Sequence, residues 1–190
     1  MNIILIGFRC TGKTSVGRML AERLGREFID ADEALERLSG KTVREIFEIR
    51  GETFFRKVES ELLSELARLD GKVIATGGGA VLKRKNMQQL KRNGLVVLLD
   101  AHPNVLSERL KRDPKSKTQR PALTHRDLDA EIREQYEFRQ PYYQGAADLT
   151  VDTAEQPLEK IVDEVERRLS ERGIHGRHHG GGEAQEGAMI

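Results

Sequence analysis

A glycine, a lysine and a threonine in succession are residue types that handle nucleotide phosphates, and they occur together in "IGFRCTGKTSVG", Ile6 to Gly17. Gly7, Gly12, Lys13 and Thr14 satisfy the spacing G-x-x-x-x-G-K-[ST]. Backbone N–H groups of such a loop converge on terminal phosphates, reinforced by the positive end of the helix that follows. Lys13 would neutralise β- and γ-phosphates, and the Thr14 hydroxyl would ligate Mg²⁺. Out of context, the same stretch is an ordinary strand-to-helix turn with a surface lysine.

Phosphoryl transfer to a hydroxyl also asks for a carboxylate, and "IDAD" offers Asp30 and Asp32. Asp32 is placed to orient and deprotonate an acceptor hydroxyl, and Asp30 to hold Mg²⁺ through a water. The competing reading is a helix N-terminus decorated with acids that suit its dipole. Arg56, in "GETFFRKVE", is either a partly buried carboxylate clamp or a solvated residue paired with Glu52 or Glu59. Gly77, Gly78 and Gly79 either admit a ligand close to backbone N–H groups or form a flexible turn. Arg139 shares a helix face with Ile132 and Tyr136, which makes it a second candidate anion clamp.

The basic, aperiodic stretch "KRDPKSKTQRPAL", within residues 111–124, reads as a lid. There Arg120 could arrive over the triphosphate on closure, or the run could be solvated surface. His175, His178 and His179 lie in a Gly-rich segment without partner cysteines, so they do not read as a metal site. His102 and His125 carry no legible signal.

These residues need elements to hold them. "NIILIG" is a continuous apolar run, the pattern of a strand buried on both faces of a parallel sheet. It leads into the loop, and Val16, Met19, Leu20 and Leu24 then recur at helical spacing. The motif therefore has its required strand before and helix after. "EFID", "KVIATGGG", "GLVVLLD" and "ADLTVD" read as further strands. Helices are predicted around Leu35, from Val43 to a stop at Gly51, from Phe55 to Leu69, around Leu106, and from Leu158 to Leu169. The alternation predicts a three-layer α/β/α domain over residues 1–170 with a five-stranded parallel sheet. Residues 171–190 read as a disordered tail.

Composition narrows the class. The 190 residues are 37% hydrophobic and 33% charged with a formal net charge of +1, which suits a globular chain with no global field for nucleic acid or membrane. "MNIILIGF" reads as a strand and not as a signal peptide, and no apolar run approaches a bilayer span. With Cys10 the single cysteine, no internal disulfide is available, and a reducing cytoplasm is expected. A GTPase would carry a guanine-reading N-K-x-D segment, which is absent. "LSGKT" lacks the fuller signature of a transporter ATPase. A nucleotide-binding protein that grips phosphate backbone through the basic lid would carry more aromatics for stacking. A small-metabolite kinase fits best.

Taken together, the sequence resembles the shikimate kinases, members of the nucleoside-monophosphate-kinase-like P-loop family, from about Asn2 to about Leu169. The likeness rests on the phosphate loop, "DAD" at Asp30–Asp32, "GExxFRxxE" at Gly51–Glu59, "GGG" at Gly77–Gly79, "RPAL" at Arg120 and "FRQPYY" around Arg139. It implies ATP-dependent phosphorylation of the shikimate 3-hydroxyl, a step of chorismate and aromatic amino-acid biosynthesis, by a cytoplasmic monomer using Mg²⁺. It further implies an ATP-binding set of Cys10, Thr11, Gly12, Lys13, Thr14, Ser15, Arg109, Arg120 and Gln156. Shikimate would meet Asp32, Arg56, Gly78 and Arg139, with a substrate-binding region over residues 32–62. Lys13, Asp32 and Arg120 would be catalytic, and Thr14 and Asp30, the latter through water, would serve the metal. Most members have glycine where this chain has Cys10. The nearest rival, another small-metabolite kinase such as gluconate kinase, lacks the combination of "DAD", "GExxFRxxE" and "GGG".

Overall fold

The computed structural model describes residues 1–113 and 128–176. Five parallel strands form one sheet in the order β2-β3-β1-β4-β5. They are β1 (Asn2–Ile6), β2 (Glu27–Asp30), β3 (Lys72–Ala75), β4 (Gly94–Asp100) and β5 (Leu149–Asp152). The helices are α1 (Lys13–Arg23), α2 (Ala31–Ser39), α3 (Val43–Leu66), α4 (Arg84–Lys91), α5 (Pro103–Arg112), α6 (Leu128–Ala146) and α7 (Leu158–Ser170). The five-stranded parallel sheet is the one expected.

The central strand shows why the sheet is covered on both faces. Side chains alternate along a strand, so Ile3 and Leu5 pack with Val16 and Leu20 of α1 and with Val162 and Val165 of α7. Ile4 and Ile6 join Leu63 of α3, Leu90 of α4, Leu106 of α5 and Ile132 of α6 on the other side. All four of those β1 residues are at most 1% exposed, which a one-sided sheet would not permit. The register pairs Asp30 with Ala75 and Asp100 with Asp152, so the strands finish nearly level. The loops after them share one edge of the sheet, the edge where ligands of open α/β folds sit.

Two local devices shape that edge. Thr42 and Glu45 form a capping box that starts α3. The expected stop at Gly51 appears as a break within the element, with φ 77° and ψ 169°, values that favour glycine. The chain turns there and the longer helical portion carries Arg56 and Glu59 back towards the sheet. Leu35, Val43, Ile46 and Phe55 form a small separate core that holds α2 to the two parts of α3.

Packing continues beyond residue 170. Ile174 is buried with the α1 and α7 side chains, and Arg26 donates to the His175 carbonyl. The start of the segment read as a disordered tail is therefore docked, because Ile174 supplies an apolar side chain that the Gly-rich composition obscures. Residues 177–190 lie outside the described residues. None of the described helices is long and apolar enough to cross a membrane.

Candidate active site

Between β1 and α1 the chain wraps around the Lys13 side chain. Lys13 Nζ donates to the carbonyls of Gly7 (2.9 Å) and Phe8 (2.7 Å). Thr11 is fully buried and its hydroxyl donates to Phe8 O at 2.9 Å, which pins the loop from inside. Gly7 has φ 144°, and a side chain there would collide with the Leu99 carbonyl, so the first glycine is required sterically. Gly12 takes φ 91° immediately before α1. Cys10, with φ 62°, holds a left-handed conformation without being glycine.

The acids of "DAD" are placed by one hydrogen-bonding arrangement. Asp30 Oδ1 accepts from the amides of Asp32 (3.0 Å) and Glu33 (3.4 Å), capping α2. Its Oδ2 accepts from the Thr14 hydroxyl at 2.7 Å. Asp30 therefore caps a helix and at the same time faces the phosphate loop.

A cleft of about 380 Å³ lies over the loop, lined by Cys10, Gly12, Lys13, Thr14, Ser15, Asp30, Asp32 and Arg109 among others. Arg109 is tied down there, donating to Cys10 O (3.4 Å), the Thr153 hydroxyl (3.1 Å), Ala154 O (3.1 Å) and Thr153 O. These bonds fasten the end of α5 to the loop after β5. A second cleft of about 220 Å³ adjoins it, lined by Arg9, Asp32, Phe47, Phe55, Arg56, Glu59, Gly77, Gly78, Gly79, Gln135 and Arg139 among others. Asp32, Val43 and Gly78 line both clefts and so mark the boundary between them.

In the second cleft Arg56 is both paired and directed inward. Its Nη1 donates to Glu59 Oε2 at 2.8 Å and its Nε to Glu52 at 3.3 Å, while the guanidinium lies 5.2 Å from the Phe55 ring centroid. Burial pushes the Glu59 carboxyl above the usual glutamate range, opposed by the Arg56 charge and hydrogen bond. Side chains on the glycines would intrude here. A Cβ on Gly79 would strike the Arg56 guanidinium, and one on Gly77 would sit 2.8 Å from both Asp32 Oδ1 and Glu59 Oε1.

From the opposite side α6 contributes Arg139, which donates to Gln135 Oε1 at 3.3 Å and lies 5.4 Å from the Phe8 ring centroid. No carboxylate among the described residues forms an ion pair with it. Tyr143 donates to Gly78 O at 2.5 Å, and burial raises its hydroxyl pKa to about 12, so it remains a donor. Tyr136 donates to both oxygens of Asp100, at 3.0 and 3.1 Å, and burial raises its pKa too.

The structure thus gathers Cys10 to Ser15, Asp30, Asp32, Arg56, Gly78, Arg109 and Arg139 at one sheet edge. It does not bring Gln156 to the loop: that residue is exposed and lines a separate shallow cleft with Val151, Asp152 and Lys160. Arg120 and the expected lid from residue 114 onward lie outside the described residues. The sequence reading passed over Arg9, Gln135 and Tyr143. The phosphate-loop pattern treats position 9 as variable, and Tyr143 reads as core, so only "FRQPYY" hinted at the last.

Comparison with known proteins agrees with this geometry. A family model described as shikimate kinase matches residues 9–170. The chain belongs to the shikimate kinase family. A shikimate kinase of Symbiobacterium thermophilum is 43% identical over 176 residues, covering 93% of this chain and 100% of that one. The structure of a shikimate kinase from Acinetobacter baumannii in complex with shikimate superposes with a TM-score of 0.85 at 35% identity, covering 91% of this chain and 94% of that one. A gluconokinase from Sinorhizobium meliloti reaches a TM-score of 0.52 at 20% identity, a likeness of fold alone. Membership of the shikimate kinase family makes the chain an ATP-dependent kinase with an alcohol acceptor.

Proposed function

We propose that this chain transfers the γ-phosphoryl group of ATP to the 3-hydroxyl of shikimate, giving shikimate 3-phosphate and ADP. The observation that carries the reading is the meeting of two clefts at Asp32 and Gly78. One is lined by Lys13 and Thr14, the other by Arg56 and Arg139. A donor nucleotide in the first and an anionic hydroxy acid in the second would place their reacting groups together at that boundary.

In the proposed mechanism the loop amides and Lys13 hold the β- and γ-phosphates, and the dipole of α1 reinforces them. Arg56 and Arg139 fix the acceptor by its carboxylate. Asp32 accepts a hydrogen bond from the acceptor hydroxyl and takes its proton as the new oxygen–phosphorus bond forms and the bond to the β-phosphate oxygen breaks. The electron pair of the broken bond leaves with ADP. Gly78 keeps the boundary free of side chains.

The Thr14 hydroxyl and Asp30, with Asp32 nearby, form a hard oxygen donor set that fits Mg²⁺. Among the described residues no cluster of three or more His, Cys, Asp or Glu could enclose a metal. That suits an ion which keeps most of its waters and its phosphate ligands. When bound, Mg²⁺ supplies charge neutralisation of the β- and γ-phosphates. The proposal includes a cytoplasmic monomer acting in aromatic biosynthesis, on the strength of the resemblance.

The test is ADP release with ATP and Mg²⁺, comparing shikimate, gluconate and no acceptor. Release that depends on shikimate alone is expected. Release with gluconate and none with shikimate would overturn the acceptor assignment.

A further inference from the structure

Asp100, the last residue of β4, is half-buried at the sheet edge, and the mechanism above does not use it. Its side chain and its carbonyl hold different partners, and both routes end on the loop between β1 and α1. By the first, both carboxylate oxygens accept from the Tyr136 hydroxyl, and the Tyr136 ring meets Phe8 edge-on, with centroids 6.3 Å apart and planes at 68°. By the second, Asp100 O accepts from the Thr153 amide (2.8 Å) and hydroxyl (3.0 Å). That hydroxyl accepts in turn from Arg109, which also donates to Cys10 O. One residue thus braces the phosphate loop at Phe8 and at Cys10.

The first route bears on the chemistry through the Phe8 carbonyl. That oxygen accepts from Lys13 Nζ (2.7 Å) and from the buried Thr11 hydroxyl (2.9 Å), so the place of Phe8 sets where the lysine starts from. The Phe8 ring is 1% exposed and takes its orientation from its neighbours. A phenylalanine at residue 136 would fill the same space, and an apolar residue at 100 would avoid a half-buried carboxylate set in register with Asp152. What the hydroxyl and carboxylate add is direction: two hydrogen bonds fix the ring that abuts Phe8.

We propose that Asp100 and Tyr136 are positioning residues for the phosphate loop, setting Phe8 and, through its carbonyl, the approach of Lys13 to the β- and γ-phosphates. The inference deepens the nucleotide half of the reaction proposed above and rests on that reading.

The experiment combines calorimetry of ADP and shikimate binding, steady-state kinetics and thermal unfolding. It compares the wild type with Tyr136→Phe, Asp100→Ala, their double variant and Asp100→Asn. Tyr136→Phe should bind ADP about fivefold more weakly and lower kcat about tenfold, the scale of a charge-assisted contact set askew. Shikimate affinity should stay within about twofold of wild type, because Tyr143 still fastens α6 to Gly78. Asp100→Ala should match Tyr136→Phe, and the double variant should lose no more than either, since residues acting along one route are not additive. Asp100→Asn keeps an acceptor for the hydroxyl and should recover most of the loss. Wild-type ADP affinity and kcat in Tyr136→Phe, whatever its unfolding temperature, would leave the pair a structural role only and overturn the inference. Additive losses in the double variant overturn it too, as does a loss confined to shikimate. A wild type that binds ADP and is inactive with shikimate overturns the acceptor assignment instead, and the ADP affinities still decide the role of Tyr136.

Discussion

Thr14 Oγ1 and Asp30 Oδ2 are joined by a 2.7 Å hydrogen bond, and the other Asp30 oxygen caps α2. One carboxylate thus ties the phosphate loop to the start of the acceptor region. Asn and Asp are comparable helix caps, so Asp30→Asn should cost little stability, whereas Asp30→Ala should cost about 1 kcal/mol. Both should need more Mg²⁺ for half-maximal activity, because each removes the carboxylate beside the Thr14 hydroxyl. Urea unfolding separates the variants, and Mg²⁺ titration of the kinase rate unites them. An unchanged Mg²⁺ requirement in Asp30→Asn would remove Asp30 from the metal site.

Gly79 and Arg56 are in contact so close that any side chain at residue 79 displaces the guanidinium. Gly79→Ala should therefore act as a mild version of Arg56→Ala. Removing Arg56 should raise the shikimate KM by about tenfold to a hundredfold, from one or two charge-assisted hydrogen bonds. ATP affinity should move little in either variant, since neither residue lines the nucleotide cleft. If both substrates weaken equally, the two clefts are not separable as described.

Glu59 gives a pH-dependent prediction with a definite sign. Burial raises its pKa in the folded protein above the unfolded value, so the folded state binds the proton more tightly. Its contribution is fully present below the unfolded glutamate pKa and is lost as pH rises through the higher folded value. Glu59→Gln stays neutral throughout and lacks that dependence. The stability of the variant relative to wild type should increase as pH rises from about 4 towards 7, the range above an ordinary glutamate pKa. Denaturant unfolding at matched pH values measures it. A relative stability that falls over this range would show that the Arg56 ion pair outweighs burial.

Features written in local spacing were legible from the sequence. The phosphate loop, its strand and helix, and the stop at Gly51 each depend on neighbours within a few residues. The two apolar faces of β1 were legible as a continuous run, because burial on both sides leaves no polar alternation. Arg56 was left between clamp and surface pair, and the structure shows why neither description suffices: its partners Glu52 and Glu59 lie on its own helix while its guanidinium faces the cleft. Arg9, Phe8 and Tyr143 were out of reach, since their juxtaposition joins the loop after β1 to α6 across more than a hundred positions of chain. Gln156 was assigned by resemblance alone, and its place on a separate cleft depends on how the chain leaves β5.

Cys10 carries the last prediction. At φ 62° it is the only described non-glycine residue with positive φ, and its thiol donates to Asp113 Oδ2 at 3.7 Å. An L-residue in this conformation costs about 1–2 kcal/mol, while glycine's greater freedom in the unfolded chain offsets about 0.5–1 kcal/mol of the relief. The sulfur contact is long and weak. Cys10→Gly should therefore stabilise the protein by roughly 0.5 kcal/mol, a rise of about 1–2 °C in Tm for a domain of this size. Kinase activity should persist, since the loop's phosphate-facing groups are backbone amides and Lys13, not the side chain at residue 10. Differential scanning calorimetry with a parallel ADP-release assay checks both halves. A Tm lowered in Cys10→Gly would mean that the contact with Asp113 outweighs the backbone strain, and would make that contact a structural link between the phosphate loop and the end of α5.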